Sequence, residues 1–293
     1  MQLLILDALN LIRRLYAVHE QQHQDSSAAL AATSAALIHA ATRLLRQFQP
    51  SHVVAVFDGA PQGFRQHLYP DYKANRSPMP PPLADYLGQL QQDLWGLGID
   101  ALLSDTDEAD DLIATLARTL SRHGKSSVIV STDQGFCQLL DAHIQLWDHF
   151  KQQAITQAVA EQKFQLTTAQ LVDYWALTGV SGSHIKGVPG IGPKRAHALL
   201  AHWQSLDKLL AAADKASHHD VAPLEAAPLA PAAPIKSAAI TDEPAKLEFS
   251  KQERAVLAHQ DQALLARQLV KLVDDIELGF NLQDLRYHSA TKG

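Results

Sequence analysis

Six carboxylates stand at or shortly after short apolar runs. Asp7 follows LLIL (residues 3–6), Asp58 closely follows VVAVF (53–57), and Asp133 follows VIVST (128–132). Glu108, Asp110 and Asp111 come shortly after IDALL (99–103). Carboxylates gathered in one place repel one another, so each resists ionising until a cation joins them. Oxygen donors with no histidine or cysteine among them suit Mg²⁺ or Mn²⁺. An ion held that way polarises a phosphate and activates water. Metal-assisted cleavage of a phosphate ester is therefore the leading chemistry. Each acid has a plainer reading: Asp58-Gly59 as a turn, Asp133 as a helix cap. Four coincident positions favour the metal. Mg²⁺ keeps several waters, so some of the six are expected to act through water.

Two further stretches suit a polyanion. FRQHLYPDYKANR (64–76) carries Arg65, Lys73 and Arg76 beside Tyr69 and Tyr72. Cations hold phosphates while aromatic rings stack on bases; the plainer reading is a solvated loop. GVPGIGPKR (187–195) has glycines that let backbone approach a ligand, and a helix follows at once. Gly190, Ile191, Gly192 and Pro193 form the turn, and Lys194 and Arg195 add charge where helix N–H groups face outward. It is similar to the hairpin of helix–hairpin–helix DNA-binding units; a tight helix–helix turn is the alternative. Arg13 and Arg14 lie just past Asp7. Cys137 reads as a packing residue.

The elements that must position these residues are strands alternating with helices, hence βαβ units and a parallel sheet. In such sheets ligands bind beyond the carboxyl ends of the strands, where these acids fall. Helices are expected over 26–48, 83–95 and 108–122, the last capped by Asp107, with a fifth strand at 144–147. Residues 63–82 read as irregular. A second, helical unit starts near residue 167, with helices at 168–177, 193–203 and 250–274. Residues 213–246 shift to Ala, Pro and polar residues and read as a flexible insert. The chain of 293 residues has room for one large α/β domain and a smaller one. One cysteine excludes an intramolecular disulfide framework and suits a reducing cytosol. No stretch is expected to span a membrane. The net charge of −6 argues against indiscriminate nucleic-acid binding but not against a local basic surface.

DALNLIRR, VFDG, YPDYKANR, DEADD, STDQGFCQLL and GVPGIGPKRA occur in the order seen in the bacterial and phage 5′ nuclease family, which the chain resembles over roughly residues 1–203. That family includes the nuclease domain of DNA polymerase I and the flap endonucleases. The resemblance implies an α/β, parallel-sheet (PIN-like) nuclease domain at 1–165. It also implies a helix–three-turn–helix DNA-binding subdomain at 166–293. It assigns the first metal site to Asp7, Asp58, Glu108, Asp110, Asp111 and Asp133. Lys73 and Arg76 match basic arch residues, with Tyr72 beside them; Lys73, Arg76 and Asp110 would carry catalysis. A K⁺ site would come from the carbonyls of Leu177, Thr178, Lys186, Val188 and Ile191. The second metal site does not carry over: Gly135, Val180 and Ser183 stand where the family has acids. The implied activity is Mg²⁺-dependent cleavage of DNA with 5′ flaps or single-strand/duplex junctions, in replication and repair, by a cytoplasmic monomer. A branched-DNA-binding protein with little turnover is the alternative.

Overall fold

The computed structural model describes residues 2–59, 63–219 and 248–288. Strands β1 (Gln2–Asp7), β2 (His52–Val56), β3 (Asp100–Leu102), β4 (Ser126–Val130) and β5 (Ile144–Asp148) pair in parallel. β6 (Gln153–Ile155) adds an antiparallel edge beside β5. The sheet order is β3-β2-β1-β4-β5-β6, so the chain reverses its direction of winding between β1 and β4. Successive side chains of a strand face opposite ways. Leu3, Ile5, Val54, Val56 and Ile129 accordingly enter one core, and Leu4, Leu6, Val53, Ala55 and Val128 the other. Both faces are covered, which is why these strands read as unbroken apolar runs.

Helices α1 (Ala8–Gln22) and α2 (Ser26–Phe48), a short helix α3 (Phe64–Leu68) and α4 (Pro81–Trp95) precede β3. Of these, α1, α2 and α4 close one face through Leu11, Ile12, Leu37, Leu44, Leu83 and Leu90. Helix α2 corrects one expectation: with a mean hydropathy of 1.3 over its most apolar stretch, it is long and apolar enough to cross a membrane by length and composition. Here Ala29, Thr33, Leu37, Ala40, Ala41 and Leu44 form a buried stripe, and the helix packs against α1 and α4. Its apolar content is that of a core helix.

α5 (Ala109–Arg122) lies on the other face, burying Leu112, Ile113, Leu116 and Leu120. α6 (Gln157–Phe164) and a single 3₁₀ turn (Thr168–Gln170) lead to α7 (Leu171–Thr178). A minimal hairpin of β7 (Gly179–Val180) and β8 (Ile185–Lys186) follows, then α8 (Pro193–Trp203) and α9 (Leu206–His219). α10 (Lys251–Ala258) and α11 (Gln260–Val270) come last; the expected single helix over 250–274 breaks at His259 and ends before Lys271. One buried cluster runs from Leu3 and Ile5 to Leu171, Leu177, Val188, Ile191 and Leu200, so the helical unit is packed onto the sheet.

Three other expectations need correction. Residues 63–82 contain α3. The flexible insert expected from 213 begins later, because α9 continues to His219; residues 220–247 lie outside those described. The cap of α5 is Glu108, not Asp107, and its side chain makes no capping bond. The first helical N–H, that of Ala109, donates instead to Asp58 Oδ1 at 2.9 Å. An acid beyond β2 thus caps a helix distant in sequence, a partnership that local spacing does not reveal.

Candidate active site

Asp7 ends β1 and caps α1. Its Oδ1 accepts from Asn10 N at 3.3 Å and its Oδ2 from Ser131 Oγ at 2.6 Å. Ser131 Oγ in turn accepts from Asp133 N at 3.0 Å, and Asp133 Oδ1 from Gly135 N at 2.7 Å. One hydroxyl therefore joins the acids beyond β1 and β4, across the point where strand order reverses. Asn10 Oδ1 accepts from both Thr132 N and Thr132 Oγ1 and fixes the same corner. Asp58 approaches from beyond β2 and Asp110 from the first turn of α5. These four acids line one cleft of about 330 Å³, whose other walls include Arg13, Arg14 and Arg76.

Burial, reinforced by the charges of Asp110 and Asp133, pushes the Asp7 carboxyl up to about 8, against the opposing bonds from Ser131 and Asn10. Asp58 and Asp133 are raised as well, each by burial first and Asp110 second. Such a floor lacks positive charge. Its donors are all oxygen, the donor type that hard divalent cations take. Among the described residues, no three of these acids converge closely enough to hold an ion as they stand.

The remaining two acids are already neutralised. Arg65 is 1% exposed. It donates Nη1 and Nη2 to the two Asp111 oxygens at 2.6 and 2.8 Å, and Nη1 also to Glu108 Oε1 at 3.2 Å. Its Nε reaches Leu269 O and its Nη2 Lys271 O. All five guanidinium N–H groups are thereby used. Burial opposes the charge, yet Asp111 and Glu108 outweigh it and raise Arg65 above its ordinary value. Arg65, expected to contact DNA, is instead a buried link between α5 and the end of α11. Asp111, expected at the metal, accepts from Arg65 and from Val273 N. Glu108 is occupied too: its Oε2 accepts from Tyr72 OH at 3.2 Å and Lys73 Nζ at 2.7 Å. Tyr72, expected among the DNA contacts, is buried with Ala176, Ile185, Ala266 and Leu269.

Lys73 Nζ also lies 3.4 Å from Asp110 Oδ2, standing between the paired acids and the cleft. Arg76 is exposed at the rim and reaches Gly182 O. Lys73 N donates to Ser183 O, Asn75 Nδ2 to Ser181 O, and a His184 ring nitrogen bonds Asp71 O. The basic loop is therefore stapled to the β7–β8 turn. The sequence reading missed Asn10, Ser131 and Thr132; Arg13, noted there for its place just past Asp7, holds the same loop through Ser77 O and Pro78 O. The small polar pair before Asp133 in STDQ is the signal that would have found two of them.

At the hairpin, Gly190 has φ 78° and α8 starts with Pro193. Lys194 is exposed, whereas Arg195 folds its Nη1 back onto Gly190 O. Among the expected K⁺ carbonyls, Leu177 O accepts from Val188 N, Val188 O from Ile191 N, and Lys186 O from Gln262 Nε2. Gly187 packs so closely that an added Cβ would lie 2.5 Å from Leu177 O.

Comparison with known proteins matches residues 2–165 to the 5′–3′ exonuclease N-terminal resolvase-like domain, and 166–293 to the 5′–3′ exonuclease C-terminal SAM fold. The chain is 48% identical over 288 residues to the flap endonuclease Xni of Aeromonas salmonicida, covering 98% of this chain and 97% of that protein. It is 40% identical to Xni of Vibrio cholerae over 293 residues, covering 99% and 98%. Among solved structures, zinc-bound T5 5′-exonuclease shares the fold with a TM-score of 0.68 at 16% identity, over 93% of this chain and 90% of that one. A T5 flap endonuclease pseudo-enzyme-product complex with DNA and metal ions superposes with a TM-score of 0.64 at 16% identity, over the same shares of the two chains.

Proposed function

We propose a reaction on one premise: the chain belongs to the 5′–3′ exonuclease family, through an N-terminal resolvase-like part and a C-terminal SAM-fold part. It is a metal-dependent, structure-selective 5′ flap nuclease that hydrolyses phosphodiester bonds in DNA. One observation carries the site assignment. A single cleft at the sheet's reversal point has four carboxylates in its lining and arginines around them. Such a cleft suits a cation below and a phosphate above.

Asp7, Asp58, Asp110 and Asp133 would hold the divalent ion, Mg²⁺ or Mn²⁺. Bound there, it would polarise the scissile phosphate and lower the pKa of the attacking water. Ser131 and Asn10 keep Asp7 oriented. Glu108 and Asp111 serve one step removed, fixing Lys73 and Arg65. Lys73 and Arg76 meet charge developing on the phosphate. The turn Gly190–Pro193 and Lys194 hold duplex backbone at a set distance, positioning without reading sequence. K⁺ at the carbonyls of Leu177, Thr178, Lys186, Val188 and Ile191 fits this scheme, since a carbonyl that accepts one bond keeps a second lone pair. The division at 165 and 166 follows the family's two parts. The substrate is DNA with a 5′ flap or a single-strand/duplex junction, and the enzyme acts as a monomer in the cytoplasm.

The test is cleavage of labelled flap and blunt duplex DNA across a Mg²⁺ series. Wild type should cut the flap substrate preferentially, and Asp110→Asn and Asp133→Asn should bind it without cutting. Wild type that binds flaps tightly and never cuts them would overturn the reading in favour of a branched-DNA-binding protein.

A further inference from the structure

The loop that carries Lys73 and Arg76 is held by residues outside the chemistry. Asn75 Nδ2 donates to Ser181 O at 2.9 Å. His184 Nδ1 lies 3.0 Å from Asp71 O, and a ring nitrogen facing a carbonyl must donate to it. Between these two clips, Lys73 N donates to Ser183 O at 2.9 Å. Lys73 and His184 both have φ 56°. A left-handed backbone is uncommon outside glycine, and it persists where the surroundings over-determine it; each clip holds one side of this contact in place. The turn that receives the clips is continuous with the duplex hairpin. Gly179 pairs with Lys186, Lys186 O accepts from Gln262 Nε2, and a Cβ added to Gly187 would lie 2.3 Å from Gly179 N. Residues 179–187 are therefore one packed piece leading into Gly190–Pro193. The grip on duplex backbone and the cations that meet the phosphate join at residues 181–184.

We propose that Asn75 and His184 are positioning residues that set the register of the cut. Neither lines the acidic cleft. They fix the spacing between the hairpin, which holds the duplex, and Lys73 and Arg76, which meet the phosphate. That spacing selects which phosphodiester is presented to the cleft. Without the clips the loop stays attached through Tyr72, buried against Ala176, Ile185, Ala266 and Leu269. Its outer side, with both cations, is then free to shift against the turn. The proposal rests on the nuclease reading.

The experiment removes both clips. Asn75→Ala/His184→Gly deletes the two donors, and glycine accepts the left-handed backbone at 184. Three quantities are read on end-labelled flap DNA: the single-turnover rate at saturating enzyme, the ladder of product lengths, and Kd in EDTA. A misplacement of about 1 Å costs up to about 100-fold in rate, so the double variant should cleave roughly 10- to 100-fold more slowly. Its products should spread over neighbouring phosphodiesters, while Kd stays near wild type. His184→Asn keeps an N–H donor on the atom bonded to Cγ and tolerates the left-handed backbone; with Asn75 intact it should keep the wild-type rate and ladder. Trypsin cleavage after Lys73 and Arg76, without DNA, should be faster in the double variant and unchanged in His184→Asn. Should the double variant fail to fold, Asn75→Ala alone makes the same comparisons. A double variant that cuts at the wild-type rate would overturn the proposal, as would a slower one with the wild-type ladder. A rate loss matched by the loss in affinity would make the two residues DNA contacts and overturn it also. Unchanged trypsin protection would show that the clips do not hold the loop. Wild type that neither binds nor cuts any flap, with the trypsin difference intact, would overturn the nuclease reading, and the register with it.

Discussion

Replacing Arg65 separates two roles that the sequence leaves together. Read as a basic residue of a DNA-facing loop, Arg65 should matter to phosphate binding and little to stability. In the structure it is buried, pairs bidentately with Asp111 at 2.6 and 2.8 Å, and holds two carbonyls of the chain leaving α11. Arg65→Met keeps much of the volume but strands the buried Asp111 carboxylate and takes one partner from Glu108. Removing one partner of a buried pair costs roughly 3–5 kcal/mol. At about 2–4 °C per kcal/mol for a chain somewhat smaller than this one, the melting temperature should fall by roughly 6–20 °C. Arg65→Met/Asp111→Leu should recover a good part of that loss, because an apolar pair of similar volume replaces the ion pair. Glu108 limits the recovery, although Tyr72 and Lys73 still satisfy it. The assays are thermal melts of the single and double variants, and flap-DNA affinity against salt. A folded Arg65→Met chain should keep the wild-type salt slope, since a residue touching no phosphate releases no counterion. A variant that melts with wild type and has a slope shallower by about 1 would refute the buried role and restore the DNA-contact reading.

Three further outcomes are expected. Asp7 titrates at about 8 in the folded, metal-free protein against an ordinary value near 4, so the folded state holds its proton more tightly within that window. Stability in EDTA should fall as pH rises from about 4 to about 8, and Mg²⁺ or Asp7→Asn should flatten the dependence; melts that are flat in EDTA would contradict this. Gly187→Ala puts a Cβ 2.3 Å from Gly179 N and 2.5 Å from Leu177 O, so the hairpin must open. Overpacking of this kind costs about 1–3 kcal/mol, and duplex affinity should drop, with loss of any K⁺-over-Li⁺ preference, while divalent-ion binding is retained. Lys194→Ala should reduce the salt slope of DNA binding by about 1. Arg195→Ala should instead lower the melting temperature, because its guanidinium closes the turn at Gly190; a wild-type melt with a reduced slope would reverse that assignment.

The sheet was legible because β1, β2 and β4 are buried on both faces and read as short apolar runs ended by acids. Helices α2 and α8 were legible from their apolar spacing and, for α8, from Pro193 at its start. α3 was hidden because its five residues complete hardly more than one helical turn. The break at His259 was hidden because apolar periodicity continues on either side of it. The acids past the strands were legible as a group, and four of them do line one cleft, but their division was not legible. EADD places Glu108, Asp110 and Asp111 within one turn, and spacing alone cannot say which of them meets a cation from the protein. That depends on Arg65 and Lys73, far back in sequence. Tyr72 and Arg65 misled for a shared reason: a loop rich in charge and aromatics looks solvent-facing until its partner helices are in place.

That division bears on how one chain keeps so many acids together and still folds. Glu108 and Asp111 are matched within the protein by Arg65, Lys73 and Tyr72, so they are satisfied before any ligand arrives. Among the described residues, Asp7, Asp58 and Asp133 have hydrogen-bond donors but no ion-pair partner; burial first and the Asp110 charge second raise all three, and burial raises Asp111 too although Arg65 pairs with it, so the partner and not the shift separates the two groups. Asp110 belongs to both groups, within reach of Lys73 yet lining the cleft. Only the unmatched group gains when a cation enters, so it marks the site more sharply than acidity does. Extra acids at 135, 180 and 183 would enlarge that group and call for a second cation beside the first. With Gly135, Val180 and Ser183 there, no further carboxylate joins that group, and the neighbouring cavity sets an apolar wall of Trp175, Ile185, Leu269, Val270 and Leu272 against the Arg76, Asp110 and Asp133 it shares with the cleft.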